Sequence, residues 1–392
     1  MKNKVDVVVG LFWGDESKGR VVDNIANNYS IIARASGGSN AGHTLIVDGN
    51  KYVFRLLPSG ILNKSTTSFL GGGMVINPEI LEKELVPFPD ANVKVSENAH
   101  IVMPYHIEVD VEREKTQNIG TTKNGIGPTY ECKAARIGLR VKDLFSSDTV
   151  IKQILNNQIH YAKINNVIPK SLDYYMNLTT KYAKIFNKYI ESESFIRNSL
   201  NNGEKILAEC AQGTFLDIDH GENPYVTSSS TTTIGVCNGL AISPKAIGKV
   251  IGVTKAYITR VGNGEFPTEI SDTKEGVYIS KMGQEFGAVT GRPRRVGWLD
   301  IQQLNKSIEL NGVDELFLSK IDVLTGLDKI KILNKDFIEF KGWHMDISKC
   351  TNYNQLPQEV KNYVSYIQNS CNTPITNISV SPKRESTFNV II

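Results

Sequence analysis

Cysteine is scarce: five residues (Cys132, Cys210, Cys237, Cys350 and Cys371) lie scattered through a chain of 392, with no CxxC pair and no metal-ligand spacing. That excludes a disulfide framework and a thiolate metal site, and it favours reduced thiols in the cytoplasm. No apolar run approaches the roughly 18 residues a membrane helix needs, so no spanning segment is expected. The opening Met1-Lys2-Asn3-Lys4 leads straight into a strand-like stretch and lacks the apolar core of a secretory signal. Charge of one sign is not in excess either. Lys+Arg 44 against Asp+Glu 41 leave a net +3, which gives no support for coating nucleic acid. No internal repeat, heptad run or disordered linker appears. What remains is the balance of a soluble globular protein, 40% hydrophobic and 22% charged. The length exceeds the usual single domain, yet large α/β enzymes run this long around one sheet. One domain over 1–392 is the expectation.

Val5-Asp6-Val7-Val8-Val9 is a β-branched run ending in Gly10, suited to a buried parallel strand. Val21, Val22, Ile25 and Ala26 then follow helical spacing, so a helix should begin near Lys18. Ile31–Arg34, Lys205–Ala208, Val250–Val253 and Glu315–Leu318 read as further short strands, each followed by a polar, glycine-containing loop. The fold class predicted is α/β, a large mostly parallel central sheet with flanking helices. In such sheets ligands bind outside the carboxyl ends of the strands. Residues 146–200 differ: they are rich in Asn, Lys, Tyr and Ile and spaced like helices, which predicts a helical subregion within the core.

Six segments carry candidate chemistry. Gly10–Arg20 contains Gly14-Asp15-Glu16-Ser17-Lys18-Gly19, small residues between a strand and a helix N-terminus that would admit phosphate oxygens to backbone N–H groups. A P-loop needs GxxxxGK[ST]. Here Ser17 precedes the lysine and Gly19 follows it, so the match fails. A tight turn with a capping Asp is the plain alternative. A carboxylate among phosphate ligands nonetheless points to Mg²⁺ coordination or general-base work. Ser36–Thr44 places His43 in a glycine-rich polar loop, where it is not expected to be a core histidine. Gly120–Pro128, followed by Arg136 and Arg140, offers Thr hydroxyls and Gly amides for a phosphate, or else a solvated loop. Gln212, beside Gly213, has the donor and acceptor to read a purine edge. The hydroxyl run Thr227–Thr233 is poor helix material. Thr290-Gly291-Arg292-Pro293-Arg294-Arg295 suits carboxylate or phosphate recognition. Ser319-Lys320-Ile321-Asp322 lies at a strand end, where an Asp carboxylate can accept from guanine N1–H and N2–H.

Read in order, WGDESKG, GGSNAGHT, IGTTKNGIGPTYECKAARIGLRV, AQGTFLDIDHGENPYVTSS, KAYITRVGNGEFPTE, TGRPRRVGWLD and SKIDVLTGLDKIK resemble the adenylosuccinate synthetase family from residue 5 to about 332. The resemblance implies a GTP-dependent ligase that joins L-aspartate to IMP through 6-phosphoryl-IMP, the alternatives being a paralogue acting on another purine nucleotide such as dGMP or a non-catalytic nucleotide-binding protein. It implies catalytic roles for Asp15 (general base), His43 (acid), Lys18 and Gln212. GTP contacts are implied for Gly14, Asp15, Glu16, Ser17, Lys18, Gly19, Arg20, Gly42, His43, Thr44, Arg294, Lys320, Ile321, Asp322, Ser379, Val380 and Ser381. IMP contacts are implied for Asp15, Lys18, Asn40, Ala41, Gly42, His43, Thr122, Arg136, Gln212, Thr227 and Arg292. Aspartate contacts fall on Ala288, Val289, Thr290, Gly291, Arg292 and Arg294. One Mg²⁺ would sit on Asp15 and the Gly42 carbonyl, and a homodimer would share Arg136 across subunits. Residues 335–392 would form a nucleotide-capping region.

This sequence departs from the family pattern at several positions. Ser17 stands where the family usually has Gly, Phe12 where it has Gln, Arg20 where it has Lys, and Val289 where it has Thr. Asn124 stands in place of a usual Arg, and Ser381 and Lys383 in place of Gly and Asp.

Overall fold

The computed structural model describes residues 4–47, 49–287, 291 and 293–390. Its frame is an 11-stranded sheet. In chain order the main path uses β1 (Val5–Gly10), β2 (Ile31–Gly37), β3 (Thr67–Ile76), β4 (Val93–Ser96), β5 (Ile190–Glu191), β6 (Ile206–Glu209), β7 (Ile247–Lys255), β8 (Glu315–Ser319), β9 (Ile375–Ser379) and β10 (Thr387–Asn389). In space they run β10-β9-β8-β7-β1-β6-β2-β3-β4-β5, with His100–Ile101 paired to β3. β10 pairs antiparallel to β9; the other neighbours along this path are parallel.

β1 lies in the middle because its valines suit burial on both faces. Val5, Val7 and Val9 enter the larger core, while Val8 meets Val21 and Val22 of α1 (Lys18–Ile25) on the opposite face. A run that is apolar at successive positions, rather than alternating, is what a doubly covered parallel strand requires. The chain builds one side of β1 through β2 and β6, then crosses to β7 on the other side. That reversal of strand order opens a crevice at the carboxyl ends, where open α/β sheets bind ligands.

The helical subregion is present as α2 (Asp148–Ile164), α3 (Leu172–Phe186) and α4 (Phe195–Asn201), with Leu155, Tyr175 and Phe186 buried in a second core. It is not wholly helical. β5 extends the sheet beyond β4, with Ile190 opposite Val95, and supplies partners for the backbone groups of that edge. Residues 335–390 contribute both to the sheet and to the cleft. β9 belongs to the main sheet, and the Gln358–Cys371 helix buries Val360, Tyr363, Val364 and Ile367 in the larger core. Among the described residues of this segment, those of the turn after β9 reach the cleft, through Ser381, Pro382 and Arg384. Among the described residues no helix is long and apolar enough to cross a membrane.

Candidate active site

The loops leaving β1, β2, β6 and β8 converge on one cleft of about 550 Å³. The loop after β1 is curled by three left-handed residues: Gly14 (φ 88°), Asp15 (φ 60°) and Ser17 (φ 75°). The curl wraps the Glu16 carboxylate, whose Oε1 accepts from Phe12 N (3.1 Å) and Gly14 N (2.9 Å) and whose Oε2 accepts from Lys18 Nζ (2.6 Å). Lys18 also donates to the Gln212 carbonyl, so the loops after β1 and β6 are tied together. The left-handed backbone at 17 explains the family's usual glycine there: a side chain in that region costs about 1–2 kcal/mol. Ser17 precedes α1, yet its hydroxyl caps nothing. Asp15 is no helix cap either. It lines the cleft, and its Oδ2 forms an ion pair with Arg294 Nε at 2.8 Å. Phe12, in place of the usual Gln, packs against Trp13 and Phe215, each with its ring centroid 6.0 Å away.

His43 is not in a free loop as its polar surroundings suggested. It opens the strand His43–Val47, which forms a hairpin with Asn50–Phe54. Its side chain is 9% exposed, and Nδ1 bonds the buried Glu209 at the end of β6. Glu209 also accepts from Ser59 N (2.7 Å) and Ser59 Oγ (2.7 Å). Burial would raise the Glu209 pKa, but His43 and Arg34 outweigh it and hold the carboxyl below its ordinary range. An ionised Glu209 fixes the proton on Nδ1, which leaves Nε2 for chemistry. Gly19 makes the approach of α1 possible, since a Cβ there would lie 2.6 Å from Ser59 Oγ and 3.0 Å from His43 Cβ.

The cleft lining includes Asn40, Ala41, Gly42, Thr44, Thr122, Gln212 and Thr227. Asn40 Nδ2 donates to Thr227 Oγ1 at 3.3 Å. Both amide atoms of Gln212 are buried without a hydrogen-bond partner among the described residues, although buried amides are normally satisfied. The Thr122 loop is clamped by two carboxylates of the Pro104–Gln117 helix: Gly120 N donates to Glu114 Oε1 (2.7 Å) and Gly125 N to Asp110 Oδ2 (2.9 Å). The hydroxyl run folds around Asp217, whose Oδ2 accepts from Ser230 Oγ (2.9 Å) and Thr231 N (2.7 Å).

The opposite wall centres on Glu285, whose side chain is 0% exposed. Lys320 Nζ (2.7 Å) and Arg294 Nη1 (2.6 Å) both donate to it. Lys255, also buried, lies 3.4 Å away. Burial would raise the Glu285 pKa, but Lys255, Lys320 and Arg294 hold it far below the usual range. Burial pushes Lys255 down to about 8, with Glu285 opposing. Burial disfavours the Arg294 cation too, but Asp15 and Glu285 more than restore it. Asp322 lines this wall, and burial raises its pKa. Arg20 reaches across to the turn after β9, donating to the carbonyls of Ser381 and Lys383 and to Thr387 Oγ1 (3.0 Å).

Several residues expected at the site lie off the cleft lining. Glu16 and Ile321 are buried, and Val380 is 0% exposed. Ser379 accepts from Lys320 N at 3.1 Å, holding the ends of β8 and β9 together. Gly291 and Arg136 are exposed, and Arg140 is spent on Asp143 at 3.0 Å. Ala288, Val289, Thr290 and Arg292 lie outside the described residues. Sequence reasoning missed Glu209, Glu285, Lys255 and Asp110. For Glu209 a signal existed: a carboxylate closing the apolar run Ile206-Leu207-Ala208 at a strand end.

A sequence profile described as adenylosuccinate synthetase matches residues 7–338 and 333–388. The adenylosuccinate synthetase of Limosilactobacillus fermentum is 41% identical over 419 residues, covering 97% of each chain. That of Paramecium tetraurelia is 41% identical over 422 residues, covering 98% of this chain and 97% of its own. The solved, fully ligated adenylosuccinate synthetase from Plasmodium falciparum superposes with a TM-score of 0.94 at 36% identity, covering 99% of this chain and 100% of that one. The cyanophage S-2L succinoaminodeoxyadenylate synthetase bound to dGMP and dATP shares the fold, with a TM-score of 0.69 at 21% identity and coverage of 100% and 96%.

Proposed function

The chain belongs to the adenylosuccinate synthetase family, and from that premise we propose how its cleft carries out the family's ligation. The protein is a ligase that joins L-aspartate to IMP with hydrolysis of GTP, giving adenylosuccinate, GDP and phosphate. The observation that carries the mechanism is one cleft holding Asp15, His43 backed by ionised Glu209, and a Gln212 amide with unmet hydrogen-bonding demand.

Asp15 takes the proton from N1 of IMP, which makes O6 nucleophilic towards the γ-phosphorus of GTP. His43, oriented through Nδ1, presents Nε2 to the charge that develops during transfer. The product, 6-phosphoryl-IMP, carries a good leaving group, and the aspartate amine displaces phosphate at C6. A positioned base of this kind contributes roughly 10²–10⁴-fold. Gln212, Asn40, Thr122 and Thr227 hold IMP; Lys320 and Asp322 face guanine; Arg294 serves the phosphoryl and aspartate end.

The donor set also fits magnesium. Asp15 and the Gly42 carbonyl offer hard oxygens on the cleft lining, and no cluster of three or more His, Cys, Asp or Glu suited to a metal occurs among the described residues. Mg²⁺ typically takes one or two carboxylates plus substrate phosphates. When bound it would neutralise charge on the phosphates. Arg136, exposed at the end of the Ile126–Ala134 helix, would complete the IMP site of a second copy in a homodimer.

Phosphate release with GTP, IMP and aspartate tests the whole reading, with dGMP replacing IMP and ATP replacing GTP in parallel. Turnover should require IMP and prefer GTP. No release with IMP under either triphosphate would overturn it.

A further inference from the structure

We propose that Glu285 is a positioning residue that sets Lys320 and Arg294 as one unit, so that the base end and the phosphoryl end of the nucleoside triphosphate are recognised together. The proposal rests on the ligase reading above, in which both cations face GTP.

The geometry carries it. The two oxygens of Glu285 divide their cations: Oε1 takes Lys320 Nζ (2.7 Å) and Oε2 takes Arg294 Nη1 (2.6 Å). Each cation has a second tie to the same turn. Lys320 Nζ donates to the Gly283 carbonyl (2.9 Å), and Arg294 N donates to the Glu285 carbonyl (2.9 Å). Tyr257 OH adds a further bond to Oε1. Glu285 itself does not line the cleft, whereas Lys320 and Arg294 do. A buried carboxylate behind two cleft-facing cations fixes their spacing, and mutual repulsion would otherwise drive them apart.

Lys255 plays a different part. It is off the cleft lining, its side chain is 2% exposed, and it also donates to Thr259 Oγ1 (2.5 Å). Three cations, Lys255, Lys320 and Arg294, share two carboxylates within ion-pair distance, Glu285 and Asp15, an excess of one cation over its paired anions. That excess suits a polyanion such as a triphosphate. Pre-set donors lose less freedom when the ligand arrives, so the gain should appear in affinity for that ligand.

Glu285→Gln keeps the shape and removes the charge. In steady-state assays on the full chain, its KM for GTP should rise about 10- to 100-fold, the range expected when charge-assisted bonds are lost. KM for IMP should stay within about two-fold, because the groups proposed to hold it, Asn40, Thr122, Gln212 and Thr227, are not tied to Glu285. Removing one buried charge also destabilises the fold, so Lys255→Met/Glu285→Gln restores the balance and is the second variant. Its melting temperature should recover towards wild type while KM for GTP stays high. If the double variant regains a wild-type KM for GTP, or if folded Glu285→Gln never loses it, the proposal is overturned and Glu285 only balances charge. A wild type that releases no GTP-dependent phosphate would instead overturn the ligase reading, so the two failures are distinct.

Discussion

The two walls of the cleft bury their charges differently. On the wall formed by the loops after β1, β2 and β6, Lys18 has Glu16 at 2.6 Å and His43 has Glu209 as a private partner, and Asp15 alone reaches across, to Arg294 at 2.8 Å. On the other wall one carboxylate, Glu285, is shared by Lys255, Lys320 and Arg294. Private pairs confine the damage of a mutation to one group. A shared partner spreads it: without Glu285, buried Lys255 and cleft-facing Lys320 both lose their ion pair and Arg294 keeps only Asp15. The first arrangement fits a wall where single atoms transfer protons. The second fits a wall that must recognise an extended anion at several points.

Substitutions on the first wall test whether its failures are local. The largest effect is expected from Asp15→Asn, which should lower kcat roughly 10⁴-fold, the upper end for a positioned base. GTP and IMP binding by titration should remain within about ten-fold, since the asparagine keeps the shape. A large loss of IMP affinity would show that Asp15 mainly builds the site. Next comes Glu209→Gln, with a fall in kcat of roughly 10²-fold and little change in either nucleotide KM, because only the imidazole loses its orientation. The same variant has a pH signature. The folded pKa of Glu209 is depressed, so its contribution is complete above the ordinary value of 4.5 and is lost as pH falls through the folded value. Wild-type stability should therefore decline below about 4.5, and Glu209→Gln should decline less steeply in thermal melts. An unchanged acid limb would mean that the His43–Glu209 pair does not contribute. The smallest effect is Ser17→Gly. Relief of the left-handed backbone should stabilise the chain by about 1 kcal/mol or less in denaturant titration, partly offset by the freedom glycine gains when unfolded. A loss of stability would show that the serine side chain holds something the backbone geometry does not reveal.

Much of this architecture is legible in the sequence because it is local. The valine run gives β1, the spacing of Val21, Val22 and Ile25 gives α1, and the glycine-bearing loops mark the cleft. His43 was harder. Its neighbours are polar and glycine-rich, but its partner Glu209 lies 166 positions away, and only the sheet brings them together. Glu285 left still less trace. A single carboxylate between Gln284 and Phe286 has no periodic or motif context, and its partners come from β7, from residue 294 and from the end of β8. The β5 edge escaped for a related reason: two residues are too short for any pattern, and their extended form is set by β4. Tertiary pairing decides such positions, whereas local preference decides the loops and central strands.

Arg20 has a consequence for the time course of synthesis. Its partner carbonyl on Ser381 follows 361 positions later. At ribosomal rates of 5–20 residues per second, that interval lasts roughly 20–70 s. Throughout it, the wall closed by the turn after β9 has no material from which to form. A nascent chain can thus pair β1 with β6 and β7 while its nucleotide cleft stays incomplete, and GTP meets a finished site only when nearly the entire polypeptide has been made.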